Sequence, residues 1–473
     1  MSVSVRGFAG RPACCSTEAN PALSTSAPNV ALLTSDGRTA GRGLRGLVWL
    51  GLLLPVFLSL NFVVRFAVDV PFWDQWELVP QISRMYAGTL RFADLYLQHN
   101  EHRILVPRLV MLGLVRLTGW DTRFEMFVGW LLLLATAVVL LVEYIRALGR
   151  DVGSLLRFLP IAWLVFTLRQ FENLLWGWQL QVFLAAFGVV ASMALLCSGK
   201  VTPRRTLLAI LCAEVSSFSF AAGLAVWPAG AAAILARREA RWQRLGLWLG
   251  SVGLTLLLYL PGYHRPAHHP NPGYFASHLA RSAYFFLAML GGSLVRDTEV
   301  ATAAAVGLVL LGLCVILFLL WRRGELDLGR VGIGLPLVVF AAVSAAMATV
   351  GRVGFEYGTE RVGMALSSRY TTLTLLGVYG VYRASLVVGA ERWRQALLGS
   401  MVTMLFIGTF LELQTSYALG AAVRNERRRM QQLLVTWRTR PDSELGAIYL
   451  PFSLRERIPE VERLQLSVFR PRQ

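Results

Sequence analysis

The chain has 473 residues; 55% are hydrophobic, 16% are charged and mean hydropathy is +0.53, against about 25% charged residues in ordinary soluble domains. Its net charge of +18 sits in arginines that mostly flank apolar runs, which points to membrane topology and anionic lipid and away from nucleic acid. Apolar stretches long enough to cross a bilayer recur without period-2 alternation, which excludes a β-barrel and predicts an all-α polytopic membrane protein.

In chain order, residues 1–43 are rich in Ser, Thr, Ala, Gly and Pro, contain Arg6, Arg11, Arg38 and Arg42, and read as a disordered cytoplasmic tail without a cleavable signal. The apolar pattern then predicts about eleven membrane-crossing helices, within a range of ten to thirteen. They lie near 44–66, 124–146, 154–168, 178–197, 207–222, 224–236, 245–261, 300–320, 331–349, 369–388 and 395–416. The arginine-rich segments 146–150, 200–205, 237–244, 321–330 and 383–394 all fall on one side of that trace, the cytoplasmic one. The transmembrane domain is thus 44–418. Residues 419–473 form an external tail, a small cap or amphipathic helix with an arginine cluster at 427–429. Residues 103–118 carry Arg103, Arg108 and Arg116 and read as an amphipathic helix in the outer interface. Residues 279–294 read as re-entrant or peripheral. The first external loop, 67–123, then holds two interface helices, near 75–88 and 103–118. Cys14, Cys15, Cys197, Cys212 and Cys314 form no CxxC pair, so no zinc or redox motif is read.

Polar residues concentrate at the outer helix ends. "PFWDQWE" at 71–77 supports two readings. Asp74, with Glu77 three residues on, is nearly a capping box, with Trp73 and Trp76 as interface aromatics. An acid at the membrane surface is also suited to act as a general base toward an acceptor hydroxyl. "QHNEHR" at 98–103 is a solvated loop entering a helix, or a site where Arg103 and a histidine meet a phosphate, with His99, Glu101 and His102 together. His-x-x-His fits no standard helical pair, so no metal is assigned, and a divalent cation stays a minor option.

Glu172, beside Arg169 and Asn173, reads as a local ion pair or as a second acid near Asp74. Arg352, Arg361 and Arg369 converge on the last external loop. There "SSRY" at 367–370 places two hydroxyls, a guanidinium and the Tyr370 phenol at a helix start. These residues are interface anchors or a phosphate site. Glu214, inside an apolar run with Ser216, Ser217 and Ser219, is a protonated packing group or a functional one. His264, His268, His269 and His278 share a Pro-rich segment too irregular to preform a metal site, so a solvent-exposed loop is expected.

On these residues the chain resembles the GT-C superfamily of membrane glycosyltransferases, such as aminoarabinose transferases and protein O-mannosyltransferases. In that family an acidic motif lies at the outer end of the first helix. Two interface helices follow, with a His/Lys position opening the second. "WDQWELVPQISRMYAGTL" and "HNEHRILVPRLVMLGL" fall in those places, and the likeness spans roughly 44–200. The resemblance implies Asp74 as general base, Glu172 as the second catalytic acid, and His102 and Arg103 near the His/Lys position. It implies a polyprenyl-phosphate-linked sugar as donor and a lipid, glycan or protein as acceptor. The site would face outward from a bacterial cytoplasmic (inner) membrane, among its lipids, with no cofactor. His99, Glu101, His102, Arg103, Arg352, Arg369 and Tyr370 are the expected substrate contacts. Gln75 departs from the family's usual Asp-Glu pair, and Pro107 stands alone where the family has Pro-Pro. The rival readings are a transporter or lipid flippase, for which Glu214 is the feature, an O-antigen polymerase or ligase, and a non-catalytic subunit.

Overall fold

One helix, α1 (Thr34–Phe66), carries the chain through its first apolar run and begins earlier than the 44 expected from hydropathy. The computed structural model describes residues 34–471 except 201, 238, 267–268, 296–298, 357–362, 447 and 450–452. The tail expected at 1–33, with Cys14 and Cys15, and also His268 and Arg361, lie outside the described residues. The chain divides after Leu47 into a short N-terminal unit, helical from Thr34, and the body of the protein, Val48–Gln473.

After α1 come a 3-10 turn (Trp73–Leu78), α2 (Val79–Tyr86), α3 (Phe92–Tyr96), the two-stranded hairpin β1 (Gln98–His99) and β2 (His102–Arg103), and α4 (Leu105–Thr118). Both helices expected in this loop are therefore present. Next are α5 (Thr122–Leu148), α6 (Val152–Val165), α7 (Phe171–Leu175), α8 (Leu180–Cys197), α9 (Pro203–Ser217), α10 (Val226–Leu235) and α11 (Arg241–Tyr259). The chain continues through α12 (Gly273–Ser277), α13 (Leu279–Gly291), α14 (Val300–Arg322), α15 (Leu328–Val331), α16 (Gly334–Arg352), α17 (Thr371–Ser385) and α18 (Glu391–Val435). Two short helices, α19 (Asp442–Leu445) and α20 (Ile458–Arg463), follow.

The chain is an all-α polytopic membrane protein. A helix stands at each of the eleven expected crossings. Among the described residues, seven stretches are long and apolar enough by themselves: Gly43–Phe66, Thr122–Leu148, Val152–Leu175, Gly177–Cys197, Val300–Arg322, Gly334–Phe355 and Glu391–Val435. The other four expected crossings correspond to α9, α10, α11 and α17. Of these α17 is buried at every residue but Gly377, as a helix enclosed by its neighbours must be. The 279–294 stretch is helical as α13; at about 1.5 Å per residue its 13 residues span ~20 Å, less than a bilayer core. It lies backbone to backbone on α14, because a Cβ on Gly291 or Gly307 would overlap a carbonyl of the other helix.

The tail departs from expectation. Instead of stopping near 416, α18 runs unbroken for 45 residues, ~68 Å at 1.5 Å per residue, more than twice a bilayer core. Its C-terminal half therefore projects beyond the bundle. Residues 68–120 and 430–469 share a hydrophobic core of their own, distinct from that of the bundle, built around Trp76, Trp120, Ile82, Met111, Leu434 and Ile448. The tail is thus a cap closed onto the first loop, and this capped layer positions the candidate site.

Candidate active site

The turn at 73–78 opens on Phe72, and its closure is not the expected capping box. The Gln75 N–H donates to Phe72 O (3.2 Å), and the Phe72 N–H donates back to Gln75 Oε1 (3.0 Å). Gln75 satisfies the helix start, so the carboxylates of Asp74 and Glu77 are left for other partners. Trp73 holds φ +48°, a left-handed conformation costly for a bulky residue, and donates its N–H to Ile448 O of the cap (3.3 Å). Trp73 is 43% exposed, but Trp76 is fully buried with its indole N–H on Pro71 O (3.0 Å), so only Trp73 keeps the expected place at the surface.

"QHNEHR" is a hairpin, not a helix entrance. Gln98 pairs with Arg103 and His99 with His102, across a two-residue loop that turns at Asn100, φ +46°. Opposed residues of a hairpin share a face, so His-x-x-His brings both imidazoles to one side, ring centroids 6.5 Å apart. Their charge states differ. His99 is buried against Trp178, with Nδ1 2.8 Å from Glu77 Oε2 and Nε2 3.3 Å from Asp74 Oδ2. Burial opposes its charge, but hydrogen bonds to and charge on Asp74 and Glu77 outweigh burial and raise it to about 9, so it is an imidazolium at neutral pH. His102 stacks on Phe220 at 4.3 Å, and its Nδ1 accepts the Ala221 N–H at 3.0 Å. Burial lowers it to about 4 and keeps it neutral, with its ring hydrogen assigned to Nε2, 3.5 Å from Glu101 Oε1.

Glu77 is tied on both oxygens, one to His99 and one to the Tyr449 hydroxyl from the cap. Burial pushes it up, but the hydrogen bond and charge of His99 and the Tyr449 hydroxyl bring it below the ordinary carboxylate range. Asp74 differs. Its only hydrogen bond among the described residues is through Oδ2 to His99, and its side chain is 22% exposed. The segment 176–178, Trp-Gly-Trp, is the scaffold beneath. Trp176 donates its indole N–H to Phe72 O (3.1 Å), and Trp178 packs on His99. At Gly177 a Cβ would collide with the Glu125 carboxylate, which accepts from Gln75 Nε2 at 2.6 Å.

The remaining candidates fall into two groups. Glu101 pairs with Arg352 at the end of α16, and its Oε2 lies 3.5 Å from His269 Nε2, which in turn is 3.1 Å from Arg352 Nη1. Burial raises Glu101, but His102, Arg352 and His269 pull it well below the usual carboxylate range. Tyr370 lies within electrostatic reach of Arg352. His269 therefore joins the Glu101–Arg352 cluster, against the solvent-exposed loop expected for 262–278, while His264 is exposed as expected.

In the second group, Glu172 Oε2 accepts from Ser367 Oγ (3.1 Å) and from the Arg369 N–H (3.2 Å), with Arg369 Nε at 3.9 Å. Arg427, on the projecting part of α18, is within electrostatic reach of Glu172, and its guanidinium carbon stands 3.0 Å over the Phe72 ring. Among the described residues no hydrogen bond or ion pair joins Asp74 to Glu172.

Arg103 requires correction. Its guanidinium donates to the carbonyls of Tyr259 (2.8 Å), Tyr96 (3.0 Å) and Pro261, and it is 6% exposed. It staples the hairpin to the end of α11 and has no open face for a phosphate. Sequence reasoning also missed Glu77, Tyr449, Arg427 and the Trp-Gly-Trp scaffold. Among the described residues, no group of three or more His, Cys, Asp or Glu side chains is placed to hold a metal ion.

No family model, no curated protein and no solved structure matches this chain.

Proposed function

We propose that the protein is a glycosyltransferase of the bacterial cytoplasmic membrane. It moves a sugar from a polyprenyl-phosphate donor to a hydroxyl of a lipid, glycan or protein acceptor at the outer face, with Asp74 as general base. The observation that carries this reading is the contrast among carboxylates. Glu77 and Glu101 are each tied by two or more partners, whereas Asp74 is held by the His99 imidazolium on one oxygen alone. Asp74 Oδ1 takes the acceptor proton as the acceptor oxygen attacks the anomeric carbon. The bond from that carbon to the phosphate oxygen breaks, polyprenyl phosphate leaves with the electron pair, and the configuration inverts. His99 fixes the aim of the carboxylate. Arg369, with its Nε 3.9 Å from Glu172, is suited to the charge that grows on the leaving phosphate.

The test is transfer of labelled sugar from a polyprenyl-phosphate donor in membranes carrying wild type or Asp74→Asn. A general base contributes ~10²–10⁴-fold, so Asp74→Asn is expected to lose at least that lower figure per folded molecule, with a melting temperature lowered only by its share of the His99 pair. Equal transfer by both proteins refutes the assignment. One observation favours a transporter instead: Glu214 of α9 bonds Thr255 of α11 at 2.8 Å, an ionisable group among apolar helices. Movement of the sugar lipid across vesicles without a covalent product would support that reading.

A further inference from the structure

A cleft of about 1160 Å³ opens at the end of the bundle that carries the first loop, and no residue of the His99 hairpin lines it. Its walls come from the last turn of α1, the start of α5, the projecting half of α18 and the end of the cap. Five arginines line it, Arg65, Arg123, Arg424, Arg428 and Arg470, against one acid, Asp69. Two of the five are already matched. Arg123 bonds Asp121 (2.6 Å), and Arg470 bonds Asp69 (2.5 Å) and lies 3.1 Å from Asp121. Arg424 and Arg428 make no hydrogen bond or ion pair with the described residues, and Arg65 only stacks on Phe66 at 5.6 Å.

The geometry of α18 makes this pair significant. Positions 424 and 428 are one turn apart on the face that also carries Gln431 and Gln432 into the cleft. Like charges at that spacing repel, so an unpartnered pair facing a cavity suits an anion. Arginine's planar fork matches the oxygens of a phosphate. The floor of the cleft is at the lipid boundary: Val64, in the last turn of the Gly43–Phe66 crossing, is 61% exposed beside Arg65.

We propose that this cleft binds a phosphate-bearing anion at the membrane surface, gripped by Arg424 and Arg428 with Arg65 below. The proposal does not depend on the glycosyltransferase reading, and its test reads binding alone. An anionic phospholipid headgroup and a soluble diphosphate offer the same chemistry, and the arms of the experiment separate them. Purified full-length protein in detergent is examined by native mass spectrometry with phosphatidylglycerol, phosphatidylcholine or inorganic pyrophosphate. Wild type is compared with Arg424→Gln/Arg428→Gln and with the charge-matched control Arg91→Gln/Arg429→Gln, whose residues are exposed and outside the cleft.

Phosphatidylglycerol is expected to bind wild type and control alike and the double variant at least about tenfold more weakly, with phosphatidylcholine indifferent. If pyrophosphate alone shows that loss, the occupant is soluble; the site stands. Arg428→Glu serves as the second variant should the double one be unstable. Binding of both phosphate probes that is unchanged in the cleft variants, or lowered equally in the control, overturns the proposal.

Discussion

Replacing His99 by glutamine removes the one cation that Asp74 and Glu77 share. In the folded protein His99 is raised from 6.5 to about 9, which corresponds to roughly 3 kcal/mol in favour of the charged ring. The side chains of Asp74 and Glu77 are 22% and 38% exposed, so solvent screening reduces the usable part to about 2 kcal/mol. The folded value lies above the unfolded one. The contribution is therefore complete below pH 6.5 and is lost as pH rises through about 9. His99→Gln should melt below wild type at pH 6, and the gap should close toward pH 10. Thermal unfolding in nanodiscs, followed by intrinsic tryptophan fluorescence at the two pH values, measures this directly. A gap that is constant with pH, or wider at pH 10, refutes the imidazolium at the centre of the site.

Arg103→Gln orphans three backbone carbonyls and should destabilise the protein by ~2–3 kcal/mol in thermal unfolding. Donor affinity per folded molecule should stay unchanged, in contrast to a phosphate-binding role. Gly177→Ala would place its Cβ 2.7 Å from Glu125 Cβ and 3.0 Å from Gln75 Nε2. It should cost ~1–3 kcal/mol and lower the transfer rate by displacing the turn that carries Asp74. Tyr449→Phe leaves Glu77 with His99 alone and should cost about 1 kcal/mol, seen as a lower melting temperature.

The crossings were legible because lipid imposes apolar runs of fixed length, and each run expected to cross became a helix. The end of α18 was not, because hydropathy falls after 416 while the helix continues. Residues 419–435 are rich in Arg, Leu, Ala and Gln, which favour helix without needing lipid. Asp74, His99 and Glu172 stand out in the sequence as polar residues in an oily chain. The hairpin is not legible from helical spacing, which His-x-x-His does not match. Its true signature is a two-residue loop with Asn, which tolerates positive φ better than most non-glycine residues. The contacts that complete the site are long-range. Tyr449 reaches Glu77 across 372 residues and Arg352 reaches Glu101 across 251, and no local pattern marks either. The carbonyl contacts of Arg103 are not legible in the sequence because a guanidinium serves carbonyls as readily as phosphates, and only burial tells the two apart.

The central claim is that the protein breaks the donor's bond to phosphate and uses Asp74 to do it. Purified protein in liposomes, given a polyprenyl-phosphate sugar and an acceptor, tests this when released polyprenyl phosphate is quantified by mass spectrometry. The account predicts release matched one for one by glycosylated acceptor in wild type, and neither with Asp74→Asn. Release at the wild-type rate by Asp74→Asn, or movement of intact donor across the bilayer with no bond broken, would contradict it.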